Sequence, residues 1–175
     1  MIDHLHKIYE YSTERIRYAE GKNGALLAIS GLVLFRLLSL EELLTTKTIG
    51  FYFSGLALFT LGIIVSLLAI VARWNIPRLM RNQHKLSPPP HLAKFDNILS
   101  SIRVCYFTPE EFARLLATKL GLTNHQISPI EIDFAEHIIA NSKVIIFKYK
   151  CFRFGMVCMI IGVLCTITVK LINFN

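Results

Sequence analysis

Between Ile49 and Arg73 the chain reads IGFYFSGLALFTLGIIVSLLAIVAR, with no charged side chain before its last residue. A helix needs about 20 consecutive apolar residues to cross the hydrocarbon core of a bilayer, whereas core helices of soluble proteins show apolar runs of only about 10–14. This one segment therefore removes most soluble folds from consideration. Two more blocks have the same character: GALLAISGLVLFRLLSLEELL from Gly24 to Leu44, and FRFGMVCMIIGVLCTITVKLI from Phe152 to Ile172. The first is the shorter span, apolar from Gly24 to Leu40 and interrupted by Arg36. Phe51, Tyr52 and Phe53 mark one membrane interface of the second block, and Arg73 and Trp74 mark the other. Tyr149, Lys150 and Arg153 open the third block and Lys170 closes it. Hydrophobic residues make up 53% of the chain and charged residues 18%, and the excess is concentrated in these blocks. The expectation is an all-α integral membrane protein with transmembrane helices at 24–44, 49–73 and 152–172. No short apolar run follows a charged start, so no cleavable signal peptide is expected and the first span serves as its own targeting signal.

Loop charge sets the orientation. Residues 1–23 carry Lys7, Arg15, Arg17 and Lys22, and residues 74–150 carry ten Lys or Arg, while the first turn holds Lys47 beside Glu41 and Glu42. Basic residues stay on the cytoplasmic side. The N-terminus and the central region are therefore expected in the cytoplasm, with the first turn and the C-terminus outside. A net charge of +7 could suggest nucleic acid, but no basic run alternates with aromatics, and membrane flanking accounts for the sign.

Residues 74–150 are the one part large enough for a soluble fold. The Pro77 to Pro90 stretch, with Ser87-Pro88-Pro89-Pro90, reads as a linker. In Thr108-Pro109-Glu110-Glu111, Thr108 can cap, Pro109 suits the first turn and Glu111 completes a capping box; Gly121 fits the stop. Ser128-Pro129-Ile130-Glu131 repeats the start signal, and nothing after Pro129 breaks a helix before the C-terminus. A helix from Pro129 to Ile172 would be roughly 65 Å long, about twice the hydrocarbon thickness. The reading is a cytoplasmic helical extension with a long C-terminal stalk that continues into the third span. Ile8, Ile16 and Ala19, at helical spacing, suggest that residues 1–23 extend the first span inward in the same way.

Catalytic signatures are missing. The sequence has no G-x-S-x-G, H-E-x-x-H, Walker A or G-x-G-x-x-G motif. The six histidines are scattered, and Glu136 and His137 are adjacent and cannot converge on one site. Cys105, Cys151, Cys158 and Cys165 form no C-x-x-C pair; the last three stand seven residues apart, roughly 10 Å along a helix, too far to share a metal. Neither an enzyme, a metal site nor a resident cofactor is expected.

Three groups of residues call for a role. Arg36 lies within a span, where a cation costs about 2.5–3.5 kcal/mol at mid-helix; it either snorkels to the headgroups or lines a pore or gate. Small residues form stripes: Gly24 with Ala28, Gly62 with Ser66, and Gly155, Cys158, Gly162 and Cys165. These allow close helix approach, within one subunit or between copies. Finally Arg17, Lys22 and Asn23 precede the first span, Arg73 and Arg78 follow the second, and Asn141, Lys143, Lys148 and Tyr149 precede the third. These cationic donors and one aromatic ring suit a phosphate and a stacked base, or they anchor the helices in lipid phosphate. The candidate ligand set is Arg17, Lys22, Asn23, Arg73, Asn141, Lys148 and Tyr149.

Taken together, several segments resemble the membrane effectors of Pycsar anti-phage systems: Tyr18-Ala19-Glu20-Gly21-Lys22-Asn23-Gly24-Ala25-Leu26-Leu27 leading into the first span, the Arg-rich exit with Pro77, Tyr106-Phe107-Thr108-Pro109-Glu110-Glu111-Phe112, and Lys148-Tyr149 before the last span. The resemblance runs from about residue 12 to 172. It implies a partner pyrimidine nucleotide cyclase that makes cyclic CMP or cyclic UMP on infection, and an effector in the bacterial inner membrane that the nucleotide activates, with abortive infection as the outcome. The spans themselves make lipid an expected partner, and a three-span chain would need self-association into a homo-oligomer in order to enclose a pathway. Arg36 matches no family motif, and no cyclic-nucleotide-binding β-roll is present. The competing reading is a constitutive membrane scaffold or assembly factor with no ligand.

Overall fold

The computed structural model describes residues 1–38, 48–71, 97–122 and 124–174. Every regular element among them is helical: α1 (Ile2–Leu38), α2 (Ile49–Val71), α3 (Ser101–Val104), α4 (Pro109–Lys119) and α5 (Pro129–Phe174). Helices α1, α2 and α5 are long and apolar enough to cross a membrane. The all-α reading, the three span helices and the unbroken C-terminal helix hold. The proposed linker, Arg73, Trp74, Arg78 and Glu41 lie outside the described residues. Two compact units emerge: residues 1–18 with 72–147, and residues 19–71 with 148–175.

Local signals account for the helix boundaries in the first unit. The Thr108 hydroxyl accepts from the Glu111 amide at 3.2 Å and the Glu111 carboxylate accepts from the Thr108 amide at 2.9 Å, a closed capping box. At the other end Gly121 takes φ +73°, the left-handed region that glycine enters without cost. That bend lets the Leu122 amide donate to Ala117 O and the Gly121 amide to Thr118 O, the paired bonds of a Schellman stop. The box repeats at α5, where the Ser128 amide donates to Glu131 at 2.9 Å and the Glu131 amide to Ser128 Oγ at 3.4 Å. The core of this unit is Leu5 of α1, Val104 of α3, Phe112, Ala113 and Leu116 of α4, and Ala135, Ile138 and Ile139 of α5. Burying each of the larger side chains contributes about 1.5–3 kcal/mol. Arg15 adds a polar tie, donating from Nη1 to Leu99 O at 3.2 Å and to Ser101 Oγ at 3.1 Å.

The second unit packs by a different rule. Buried residues on α2 are Tyr52, Gly55, Phe59, Gly62, Ser66 and Ala69, alternating three and four apart. Helix α5 repeats the period with Lys148, Gly155, Cys158, Gly162 and Val169, and α1 with Ala19, Asn23, Leu26, Ser30 and Leu37. This is the 3.5-residue repeat of left-handed helix packing, with glycine, serine, alanine or cysteine at many of its positions beside larger ones such as Leu26 and Phe59. A Cβ on Gly155 would stand 2.7 Å from Leu26 Cδ2, and one on Gly162 would stand 2.9 Å from the Phe59 ring. The outward residues are large and apolar, among them Leu32, Phe35, Leu68, Val71 and Leu164. Among the described residues the Gly24/Ala28 pair packs against no other helix: Ala28 is exposed and the space beside Gly24 is open, because the buried α1 seam runs through Asn23, Leu26 and Ser30.

Candidate functional site

The densest polar constellation in the second unit is centred on Lys148. Its side chain is fully buried, although an ammonium is among the groups least suited to burial. The ammonium donates to Ala69 O at 2.6 Å and meets Glu20 Oε1 at 3.2 Å. Ala69 lies near the end of the described part of α2. One α5 side chain thus holds the end of α2 and a carboxylate on α1. Asn23, also fully buried, donates from Nδ2 to Ala19 O at 2.9 Å and to Lys148 O at 3.3 Å. Lys22, next to it, places its ammonium 5.5 Å from the centre of the Tyr149 ring and 5.6 Å from that of Phe152.

Below this cluster the seam stays polar. Asn23 Oδ1, Ser30 Oγ and Ser66 Oγ are buried without a hydrogen-bond partner in the structure. Ser30 Oγ faces Gly62 and Ser66 Oγ faces Gly155, each 3.7–3.8 Å from where a Cβ would stand. A buried polar atom lacking a bond costs about 1–3 kcal/mol relative to its hydrated form, a cost recovered only where water or another polar group reaches it.

Of the expected ligand residues, the structure brings together Lys22, Asn23, Lys148 and Tyr149. Arg17 and Asn141 belong to the other unit: Arg17 is exposed, and Asn141 donates to Ser12 Oγ at 2.9 Å. Arg73 lies outside the described residues. Arg36 is exposed near the end of α1. Gly155, Cys158 and Gly162 are buried, and Cys165 lies against Gly55 of α2. Sequence reasoning missed Glu20 and Phe152. The one visible sign of Glu20 was an acid among juxtamembrane cations.

The first unit holds a second polar contact that was not foreseen. Glu131, 2% exposed, has both carboxylate oxygens 3.0 Å from His125 Nε2. Burial pushes this carboxyl up, but the Ser128 amide, the His125 ring and the Ser128 hydroxyl outweigh it and hold the pKa below the ordinary value. Lys143 is also buried, and loss of solvent pulls its pKa down against the attraction of Cys105 and Glu136. Two grooves open on this unit. One, of about 620 Å³, is lined by His4, Lys7, Asn97 and Lys119 around an apolar floor. The other, of about 700 Å³, is lined by Glu110, Arg114, Thr118 and His125 among others. Among the described residues, no group of three His, Cys, Asp or Glu side chains could hold a metal.

No curated protein and no solved structure matches the chain. The Pycsar effector protein domain matches residues 4–173, which spans both units and all five helices. The chain therefore belongs to the Pycsar effector family, the effector arm of an anti-phage defence system.

Proposed function

We propose that a cyclic pyrimidine nucleotide, cyclic CMP or cyclic UMP made by a partner cyclase, switches this effector on, and that it then impairs the inner membrane and ends the infection together with the cell. The observation that carries this reading is the Lys148 contact. The dry ammonium bonded to Ala69 O on α2 and paired with Glu20 on α1 holds the resting state in this reading, and loss of those contacts defines the active one. The partnerless Ser30 and Ser66 hydroxyls supply a polar interior for the parted state. A ligand shifts such an equilibrium through its differential affinity for the two states. Lys148 and Asn23, buried and engaged with protein groups, serve in this reading as the lock of the resting state. The N-terminus and residues 97–147 face the cytoplasm, where the nucleotide is made, and copies of the chain assemble around the opened pathway.

Membrane potential, read with a voltage-sensitive dye, tests the proposal. Cells expressing the protein should depolarise when cyclic CMP or cyclic UMP is supplied, and cells lacking it should stay polarised. If neither nucleotide binds the purified protein at high micromolar concentration or changes the potential, the effector reading fails and a constitutive scaffold takes its place.

A further inference from the structure

Nothing described so far fixes where a nucleotide binds. The juxtamembrane cluster is poorly suited, since Lys148 and Asn23 are fully buried and the ammonium of Lys148 is held by Glu20 and Ala69. The two grooves of the first unit differ in charge. The larger carries Glu110 beside Arg114, and its His125 ring is turned to Glu131. A phosphate there would meet a carboxylate. The smaller groove is lined by His4 and Lys7 from the first two turns of α1 and by Lys119 from the end of α4, with no acidic residue among the described residues of its lining. Ile8, Leu116 and Leu120 give it an apolar floor.

A volume of about 620 Å³ falls within the range of small-molecule sites, roughly 300–1,000 Å³. Its chemistry is two-sided: an anion-binding rim over an apolar base. Asn97 adds polarity with a defined sense, because its Oδ1 accepts from the Leu99 amide at 2.9 Å and leaves the amide nitrogen as the end with donors to offer. A flat heterocycle bearing one phosphate charge and carbonyl acceptors complements this arrangement.

We infer that the groove between the start of α1 and the end of α4 is the nucleotide site, with Lys7 and Lys119 on the phosphate and the base over Ile8, Leu116 and Leu120. The inference rests on the cyclic-nucleotide reading above. It also gives a reason why the start of α1 packs as part of the core, through Leu5: that anchor fixes the backbone that carries Lys7 at the groove.

Calorimetric titration of the full-length protein in mild detergent, with cyclic CMP and cyclic UMP as separate probes, tests the site. The wild type should bind at least one of them, and Lys7→Gln and Lys119→Gln should each weaken binding about tenfold, the size of one charge-assisted phosphate bond. Lys7→Arg should restore most of the loss. A readout that needs no variant guards against misfolding. The bound nucleotide should protect Lys7 and Lys119 from amine acylation in the wild type, while Lys150 stays equally reactive. Binding by the wild type with unchanged variants, or with no protection of Lys7 and Lys119, overturns this site and leaves the nucleotide reading standing. Absence of binding to the wild type overturns both.

Discussion

Replacing Lys148 by methionine removes the ammonium and keeps the length of the stem, so it isolates the polar contact from the packing. The bond to Ala69 O, at 2.6 Å and fully buried, is the main loss, and hydrogen bonds to charged groups contribute about 1.5–3 kcal/mol. Glu20 keeps 29% of its side-chain surface exposed, so it can rehydrate and adds little. Against the loss stands the desolvation that a neutral side chain no longer suffers. The balance is about 1–2 kcal/mol against the closed arrangement, or about 5- to 30-fold in its equilibrium with the parted one. Cells expressing Lys148→Met should therefore leak without nucleotide, seen as a lowered resting membrane potential. Glu20→Gln should act in the same direction more weakly, by less than about fivefold. The competing role for Lys148, a ligand to the nucleotide phosphate, gives the opposite sign: a silent variant, polarised at rest and unresponsive. A Lys148→Met protein that inserts normally and behaves in that way refutes the lock.

Three further outcomes are expected. Gly162→Leu should destabilise the second unit by about 1–3 kcal/mol, because its first side-chain carbon already meets the Phe59 ring at 2.9 Å; Gly155→Ala, which meets only the end of Leu26, should cost less, and thermal aggregation in mild detergent would rank them. The Glu131 cap should be pH-dependent: its pKa is lowered on folding, so the stabilisation is complete above the ordinary carboxylate value of about 4.3 and is lost as pH falls through the lower folded value. Protection of the amides at residues 130–132, measured against their intrinsic exchange rates at each pH, should fall on acidification, and Glu131→Gln should flatten that profile. Cysteine labelling should find Thr108 accessible from the cytoplasm and Asn175 from outside; labelling of Asn175 only from the cytoplasm would reverse the assigned orientation.

Sequence reading succeeded where the determinant is local. The Thr108 and Ser128 boxes and the Gly121 stop each need only four to six consecutive residues, and all three are present in the structure. The three span helices are likewise written in single uninterrupted blocks. The lock was illegible because Glu20 and Lys148 stand 128 positions apart, and their meeting depends on the register of two helices. His125 and Glu131 are close in sequence, yet only the bend of the intervening chain brings the ring onto both oxygens. The small-residue stripes were visible, but which of them found a partner was decided by packing: Gly155 and Gly162 met Leu26 and Phe59, and Gly24 met nothing among the described residues.

That outcome constrains how copies of this chain can join. The glycine-bearing side of α5 is already filled by α1 and α2 of the same chain, with no room left for even one added carbon without displacing a neighbour. Assembly that preserves the three-helix unit must therefore use the outward surfaces, where Leu32 and Phe35 are about three-quarters exposed. Apart from the open pair Gly24 and Ala28 on α1, those surfaces offer bulky, lipid-like side chains. Contacts of that kind compete directly with lipid tails and are weak and readily exchanged, so any assembly through them should respond to protein density in the bilayer and to bilayer thickness more than to any single residue.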